Sequence, residues 1–323
     1  MAIIRIIGLG ALNLDKIYKV ERILEDGEAL VKEAGLYPGG SAANSIYGLA
    51  KLGVSTGFIG VVGDDGAGEY LVEDFKSVGV DTRRITVKKG EITGETFYLT
   101  DRAGKRSIYV LPGANDKLSF ENIDLSYINM AGLLHISPFA GERQFQLLME
   151  LMKEQSYSVR VSFSPGMMYA ARGLKALSPI MGRTSVLFIN QGELKCLTGK
   201  DVTDGANICL EYGCQIVVVT LGEGRKLPGS KVTATCYIKD SVNEYIVEKV
   251  SEDEINDFDA TGAGDAFATG FLYGLVKDKS MVKCGRLGDT SARLCISKNG
   301  ARQGLPDAYH LAENYFMTYK QQL

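Results

Sequence analysis

Apolar residues fall along most of this chain in short unbroken runs: Ile3–Leu9, Gly57–Val62, Gly132–Ile136, Val159–Phe163, Val186–Ile189 and Ile216–Leu221. Continuous runs of this length, without in-and-out alternation, are expected of strands in a parallel sheet covered on both faces. Between them lie stretches with helical spacing, including Ala42–Leu52, Gly68–Val78, Gln144–Glu154 and Thr203–Tyr212. The alternation predicts an α/β fold, doubly wound, with a mostly parallel sheet flanked by helices. Ligands in such folds gather beyond the C-terminal strand ends.

Two segments break the rhythm. Lys16–Pro38 and Gly94–Leu111 contain alternating residues, seen in Thr96-Phe97-Tyr98-Leu99 and Ser107-Ile108-Tyr109-Val110-Leu111. They predict edge-type strands that form a small β-sheet lid on one rim of the core. The core then takes residues 1–15, 39–93 and 112–323, and the lid takes 16–38 and 94–111. Exposed Phe97, Leu99, Ile108 and Val110 would be a liability on a monomer, so a homodimer joined through the lids is expected. The acidic stretch Ser251–Asp257 reads as a solvated loop.

A length of 323 residues suits one large domain with a small appendage. Apolar residues make up 45% and charged residues 23%, a globular composition. The net charge of −3 argues against a nucleic-acid or anionic-membrane surface. No run approaches the roughly 18 apolar residues of a membrane span. Met1–Leu14 lacks a basic start before a long apolar stretch, and Asp15 interrupts it, so no leader is read and a cytoplasmic location is expected. The six cysteines are scattered without a C-x-x-C pair, which fits reduced thiols. The two histidines, His135 and His310, argue against a His-rich metal site or a serine-type triad. His135, inside Leu133–Ile136, is expected in the core.

The strongest chemical signal is Asp259-Ala260-Thr261-Gly262-Ala263-Gly264-Asp265-Ala266-Phe267, a glycine-rich turn running into a helix-compatible stretch. Glycines let backbone approach a ligand, and the free N–H groups at a helix start favour an anion. Gly262, Ala263 and Gly264 would form an anion hole for a phosphoryl group. Asp265, in the first turn, would be the general base for a hydroxyl nucleophile. A plain helix-capping role for Asp265 stays open at this point.

Weaker signals accompany it. Gly8-Leu9-Gly10-Ala11-Leu12-Asn13 starts like a dinucleotide fingerprint, but Asn13 stands where a third glycine is required. Asn13 and Asp15 suit hydrogen bonds to substrate hydroxyls, or a plain turn. Pro38-Gly39-Gly40-Ser41-Ala42-Ala43-Asn44 places two glycines before a helix, with Ser41 read as its N-cap and Asn44 in its first turn. Asn190-Gln191-Gly192-Glu193 and Thr220-Leu221-Gly222-Glu223-Gly224 each follow a strand and suit a Mg²⁺–phosphate and nucleotide neighbourhood. No G-x-x-x-x-G-K-[ST] occurs, which excludes a Walker-type mechanism.

In this order and spacing the motifs resemble the ribokinase-like (PfkB-type) carbohydrate kinase family, from Gly8 to about Pro306. Pro112-Gly113-Ala114-Asn115 resembles a turn typical of its sugar-kinase members. The resemblance implies an ATP-dependent kinase for a small sugar, with a β-sheet lid that closes over substrate. It assigns Asp15, Gly40 and Asn44 to substrate, with Asn13 and Gly39 beside them. It assigns Asn190, Thr220, Gly222 and Gly264 to the nucleotide, and Glu193 to Mg²⁺ through water. Asp259 and Thr261 match residues that hold a monovalent cation, K⁺, in many members. Two places depart: Arg225–Asp257 is longer than usual, and Asp289 stands where many members carry Asn.

Three other readings stay open. A nucleoside kinase of the adenosine type would need a surface for the base, which Phe97, Tyr98, Tyr109 or Phe139 would supply. A nicotinamide-dependent oxidoreductase would use Gly8–Asn13. A ligand sensor would keep the fold without catalysis.

Overall fold

The computed structural model describes residues 4–102, 105–227, 232–250 and 260–323. Among these, strands run β1 Ile6–Leu9, β2 Asn13–Val20, β3 Val31–Gly39, β4 Thr56–Gly63, β5 Asp81–Lys88, β6 Gly94–Thr100, β7 Arg106–Leu111, β8 Leu133–Ile136, β9 Arg160–Phe163, β10 Thr184–Asn190, β11 Ile216–Lys226, β12 Thr233–Asp240 and β13 Glu244–Glu248. The main sheet has the order β13-β12-β11-β10-β9-β8-β1-β4-β5. From β11 to β5 every pairing is parallel, while β12 and β13 add antiparallel at one edge.

Neighbouring residues of one strand serve opposite cores. Ile7, Leu9, Ile59, Val61, Leu134, Val217 and Val219 pack on one face, with Leu148, Ile180 and Leu194 from helices. Ile6, Phe58, Val62, Leu133, Val186 and Val218 pack on the other, with Ile46, Phe75 and Phe271. A strand covered on both faces needs apolar residues at consecutive positions, which is why the runs showed no alternation. The chain leaves β1 toward β4 and β5, then returns to build β8 to β11 on its other side. The order therefore reverses beside β1, and a crevice opens beyond its C-terminal end.

A separate sheet has the order β3-β2-β6-β7. β2 pairs antiparallel with β3 and parallel with β6, and β6 pairs antiparallel with β7. β2 starts at Asn13, three residues before the expected Lys16, so Asn13 and Asp15 both lie on this small sheet. Asp15 stands opposite Tyr37 and Thr96, and Ile17 opposite Gly35 and Tyr98.

Two expectations change, and one open alternative falls. The chain after Gly10 enters β2 and not a helix, which removes the dinucleotide fingerprint and the nicotinamide reading with it. The N-cap of the helix Ser41–Lys51 is Gly40, leaving Ser41 free for another partner. Gly222 sits inside β11, at a register shift between Thr220 and Arg225, and not in a turn that ends the strand. Within the long stretch after Arg225 lie β12 and β13, joined by a turn in which Asp240 accepts from the N–H groups of Val242 and Asn243. The expected loop Ser251–Asp257 lies outside the described residues. No helix among the described residues is long and apolar enough to cross a membrane.

Candidate active site

The helix Ala263–Val276 starts after Gly262, whose φ of 76° is the left-handed conformation that glycine adopts without strain. A side chain there would also meet Ala301, at 2.5 Å between Cβ positions. Two residues on, Gly264 is exposed, with nothing within 4 Å of the place a Cβ would take. The first N–H groups of a helix have no intrahelical acceptor; here Ala263 N donates to Ala260 O at 3.3 Å, while Gly264 faces accessible space. An anion fits such a position.

Asp265 does not cap this helix. Its carboxylate accepts from Ser41 Oγ at 2.6 Å and Asn44 Nδ2 at 2.9 Å, both on the helix Ser41–Lys51. Its main-chain oxygen accepts from Ser45 Oγ and Thr269 Oγ1. Burial pushes the Asp265 carboxyl up to about 6, against the donors Ser41 and Asn44 and the charge of Arg302. A carboxylate tuned to this range is ionised at neutral pH yet basic enough to accept a proton.

Asp15 approaches from the small sheet, 3% exposed. Its carboxylate fills the space where a side chain on Gly39 would stand, 2.1 Å from that Cβ position. Gly40, with φ 98°, turns the chain into its helix so closely that a Cβ would lie 2.1 Å from the Ala11 carbonyl oxygen. Asn13 has a different task. Its Oδ1 accepts from Asn115 Nδ2 at 2.9 Å and its Nδ2 donates to Thr96 Oγ1 at 3.2 Å. Asn115 also exchanges bonds with the Leu12 backbone. The Pro112–Asn115 turn thus clamps the start of β2.

On the other side, Asn190, at the end of β10, is the direct register partner of Thr220 within β11. Asn190 and Glu193 cap the helix Gln191–Thr198 reciprocally, Oδ1 accepting from Glu193 N and Oε2 from Asn190 N. Burial and the Asp265 charge push the Glu193 carboxyl up, so the two acids sense one another. Gly222 is exposed beyond Thr220. Thr261 is buried, and Asp259 lies outside the described residues. Among the described residues no three His, Cys, Asp or Glu side chains cluster around a metal position. A divalent ion here would take its ligands largely from phosphate and water, which fits Mg²⁺.

Of the aromatic candidates, pairing puts only Tyr98 on the Asp15 face of the small sheet. Phe97 and Tyr109 belong to the opposite face. Phe139 is in the core. His135 is buried with Nδ1 2.9 Å from Ser162 Oγ, its pKa pushed down to about 4 by burial. Asp289 is buried too, accepting from Tyr319 Oη at 3.0 Å and paired with Arg293.

The model of the pfkB family of carbohydrate kinases matches residues 4–308. The chain belongs to this family. It is a phosphotransferase with an alcohol acceptor, which removes the non-catalytic sensor reading. An uncharacterized sugar kinase of Archaeoglobus fulgidus is 38% identical over 260 residues, covering 80% of this chain and 98% of that one. A cytidine kinase of Thermococcus kodakarensis is 32% identical, covering 81% and 89%. The ribokinase structure of Thermotoga maritima superposes with a TM-score of 0.81 at 23% identity, over 97% of this chain and 99% of that one, a likeness of fold.

The motifs of this kinase did not reveal Arg302. It is 3% exposed and reaches Asn44, Asp74 and the Gly39 carbonyl. Its only signal is its place directly after Gly300-Ala301, and a lone basic residue in a loop does not announce burial.

Proposed function

We propose that this kinase transfers the γ-phosphoryl group of ATP to a hydroxyl of a small sugar, with Asp265 as general base. The observation that carries the reading is the Asp265 carboxylate. It is held by Ser41 and Asn44 at a helix start, beside the open backbone of Gly264, and raised to about 6. Asp15, Gly39, Gly40 and Asn44 orient the acceptor hydroxyl. Asp265 takes its proton as the oxygen attacks in line. The backbone of Gly262, Ala263 and Gly264 receives the charge on the transferring phosphoryl oxygens. Asn190, Thr220 and Gly222 line the nucleotide. Glu193 would hold, through water, the Mg²⁺ that neutralises triphosphate charge, and Asp259 with Thr261 would hold K⁺. ATP as donor and reduced cysteines suit a cytoplasmic enzyme.

A nucleoside acceptor is the second reading. Tyr98 and Tyr37 share the Asp15 face of the small sheet and offer aromatic surface to a base. A coupled ADP-release screen with MgATP over sugars, sugar acids, sugar phosphates and nucleosides decides. A free sugar is expected to give the highest kcat/KM. A nucleoside ahead of every sugar replaces the first reading with the second. No acceptor raising ADP release above the Asp265→Asn background defeats both.

A further inference from the structure

Arg302 joins both halves of the site. Its neighbour Ala301 backs Gly262 at the phosphoryl side. On the acceptor side, Arg302 Nε donates to Asn44 Oδ1 at 2.9 Å, Nη2 to Gly39 O at 3.2 Å, and Nη1 pairs with Asp74 at 2.6 Å. The guanidinium lies 5.1 Å from the Tyr47 ring centroid and 5.0 Å from that of Phe75. A buried guanidinium must be paired, and Asp74 provides that. The donors to Asn44 and Gly39 are additional, and both act on the acceptor side.

Asn44 shows what those donors do. Its amide presents an acceptor at one end and donors at the other. With Oδ1 on Arg302, Nδ2 faces Asp265. A flipped amide would set NH₂ against a guanidinium and a carbonyl against a carboxylate, unfavourable at both ends. We propose that Arg302 is a positioning residue for phosphoryl transfer: it fixes the Asn44 amide so that Asn44 donates to the ionised Asp265.

The groups around Asp265 are Ser41, Asn44 and Ser45 from one helix, Thr269 from its own, Glu193 from the helix Gln191–Thr198, and Arg302. Glu193 opposes ionisation, while Ser41, Asn44 and Arg302 favour it. Arg302→Gln removes the charge and loosens Asn44, and both changes favour the protonated base. The inference rests on Asp265 being the base, so two measurements separate the claims. The first follows the Asp265 carboxyl by NMR with isotope-labelled aspartate, assigned by its loss in Asp265→Asn, and needs no acceptor. The second is kcat/KM against pH with the best acceptor of the screen.

In Arg302→Gln the carboxyl midpoint and the acid limb of kcat/KM are expected to rise together, by about one unit. Arg302→Lys keeps a charge opposite Asp74 but loses the Nε donor to Asn44, so its limb rises less than that of Arg302→Gln while kcat falls. A folded Arg302→Gln whose carboxyl titrates as in wild type overturns the proposal. So does an Arg302→Lys enzyme with wild-type kcat, the deciding variant if Arg302→Gln does not fold. A carboxyl midpoint that moves without the acid limb removes Asp265 as the base and the positioning role with it.

Discussion

At the scale of single residues, Asp265 is poised between folding and catalysis. Its usual value of 3.8 is raised to about 6 by burial. Between those values the native state binds more protons than the unfolded state, so stability falls as pH rises through the window and stays lower above it. Activity runs the other way, because a base must be ionised, and kcat/KM is expected to decline as pH drops below about 6. Asp265→Asn should therefore lose about 10²–10⁴-fold in kcat while melting no lower than wild type at neutral pH. Calorimetry and single-turnover assays check both, and near-normal turnover removes Asp265 as the base. Asp259 and Thr261 match residues that hold a monovalent cation in many members of the family, so turnover is expected to respond to K⁺. If turnover in K⁺-free buffer equals that with K⁺ added, those residues hold no monovalent ion. The glycine pair before Asp265 made this residue legible in sequence, since spacing alone announced the turn. Asn13 is less legible, because an amide that suits a hydroxyl equally suits Asn115 and Thr96, which hold it here. Arg302 stayed hidden because only tertiary packing brings a loop arginine under Asn44.

At the scale of elements, parallel strands were legible wherever both faces are buried, and β4, β8 and β9 begin within a residue of the expected position. The hairpin of β12 and β13 escaped because Thr233 and Thr235 break the apolar run of the buried β12, and β13, at the sheet edge, has only its inner residues covered. Its one sequence signal is the Asp240-Ser-Val-Asn243 turn, whose Asp side chain binds the backbone ahead of it. The glycines at the anion hole separate fold from function. Gly262→Ala meets Ala301 in a left-handed backbone and is expected to cost more than about 1 kcal/mol. Gly264→Ala enters open space at ordinary φ and should unfold with wild-type stability, its loss confined to turnover. Urea unfolding of the two variants makes the comparison. Equal destabilisation of both would mean that Gly264 also serves packing and that the open anion position is misread.

At the scale of the molecule, the small sheet has β3 and β7 as its two edge strands. The face away from Asp15 carries a row across all four strands: Leu36, Lys16, Phe97 and Tyr109. Lys16 lies over the Phe97 ring and pairs with Glu95, which shelters the middle of that row. Leu36 and Tyr109 at its ends remain 60% and 61% exposed. On the Asp15 face Ile108 and Val110 are exposed as well. Apolar surface on two sides of a short sheet with open edges favours pairing with a second copy. A homodimer joined through the lids is therefore expected by light scattering at micromolar concentration, and a double change Leu36→Glu, Tyr109→Glu should give a folded monomer. Because Asp15 rides on β2 while Asp265 belongs to the core, acceptor and base are expected to meet fully only when the small sheet closes, which would also keep water from the γ-phosphoryl group. Hydrogen exchange in β3 and β7 should slow when the best acceptor and a non-hydrolysable ATP analogue are added together. A monomer whose β3 and β7 exchange at one rate with and without these ligands would leave the small sheet as a fixed wall of the crevice, with closure left to side chains alone.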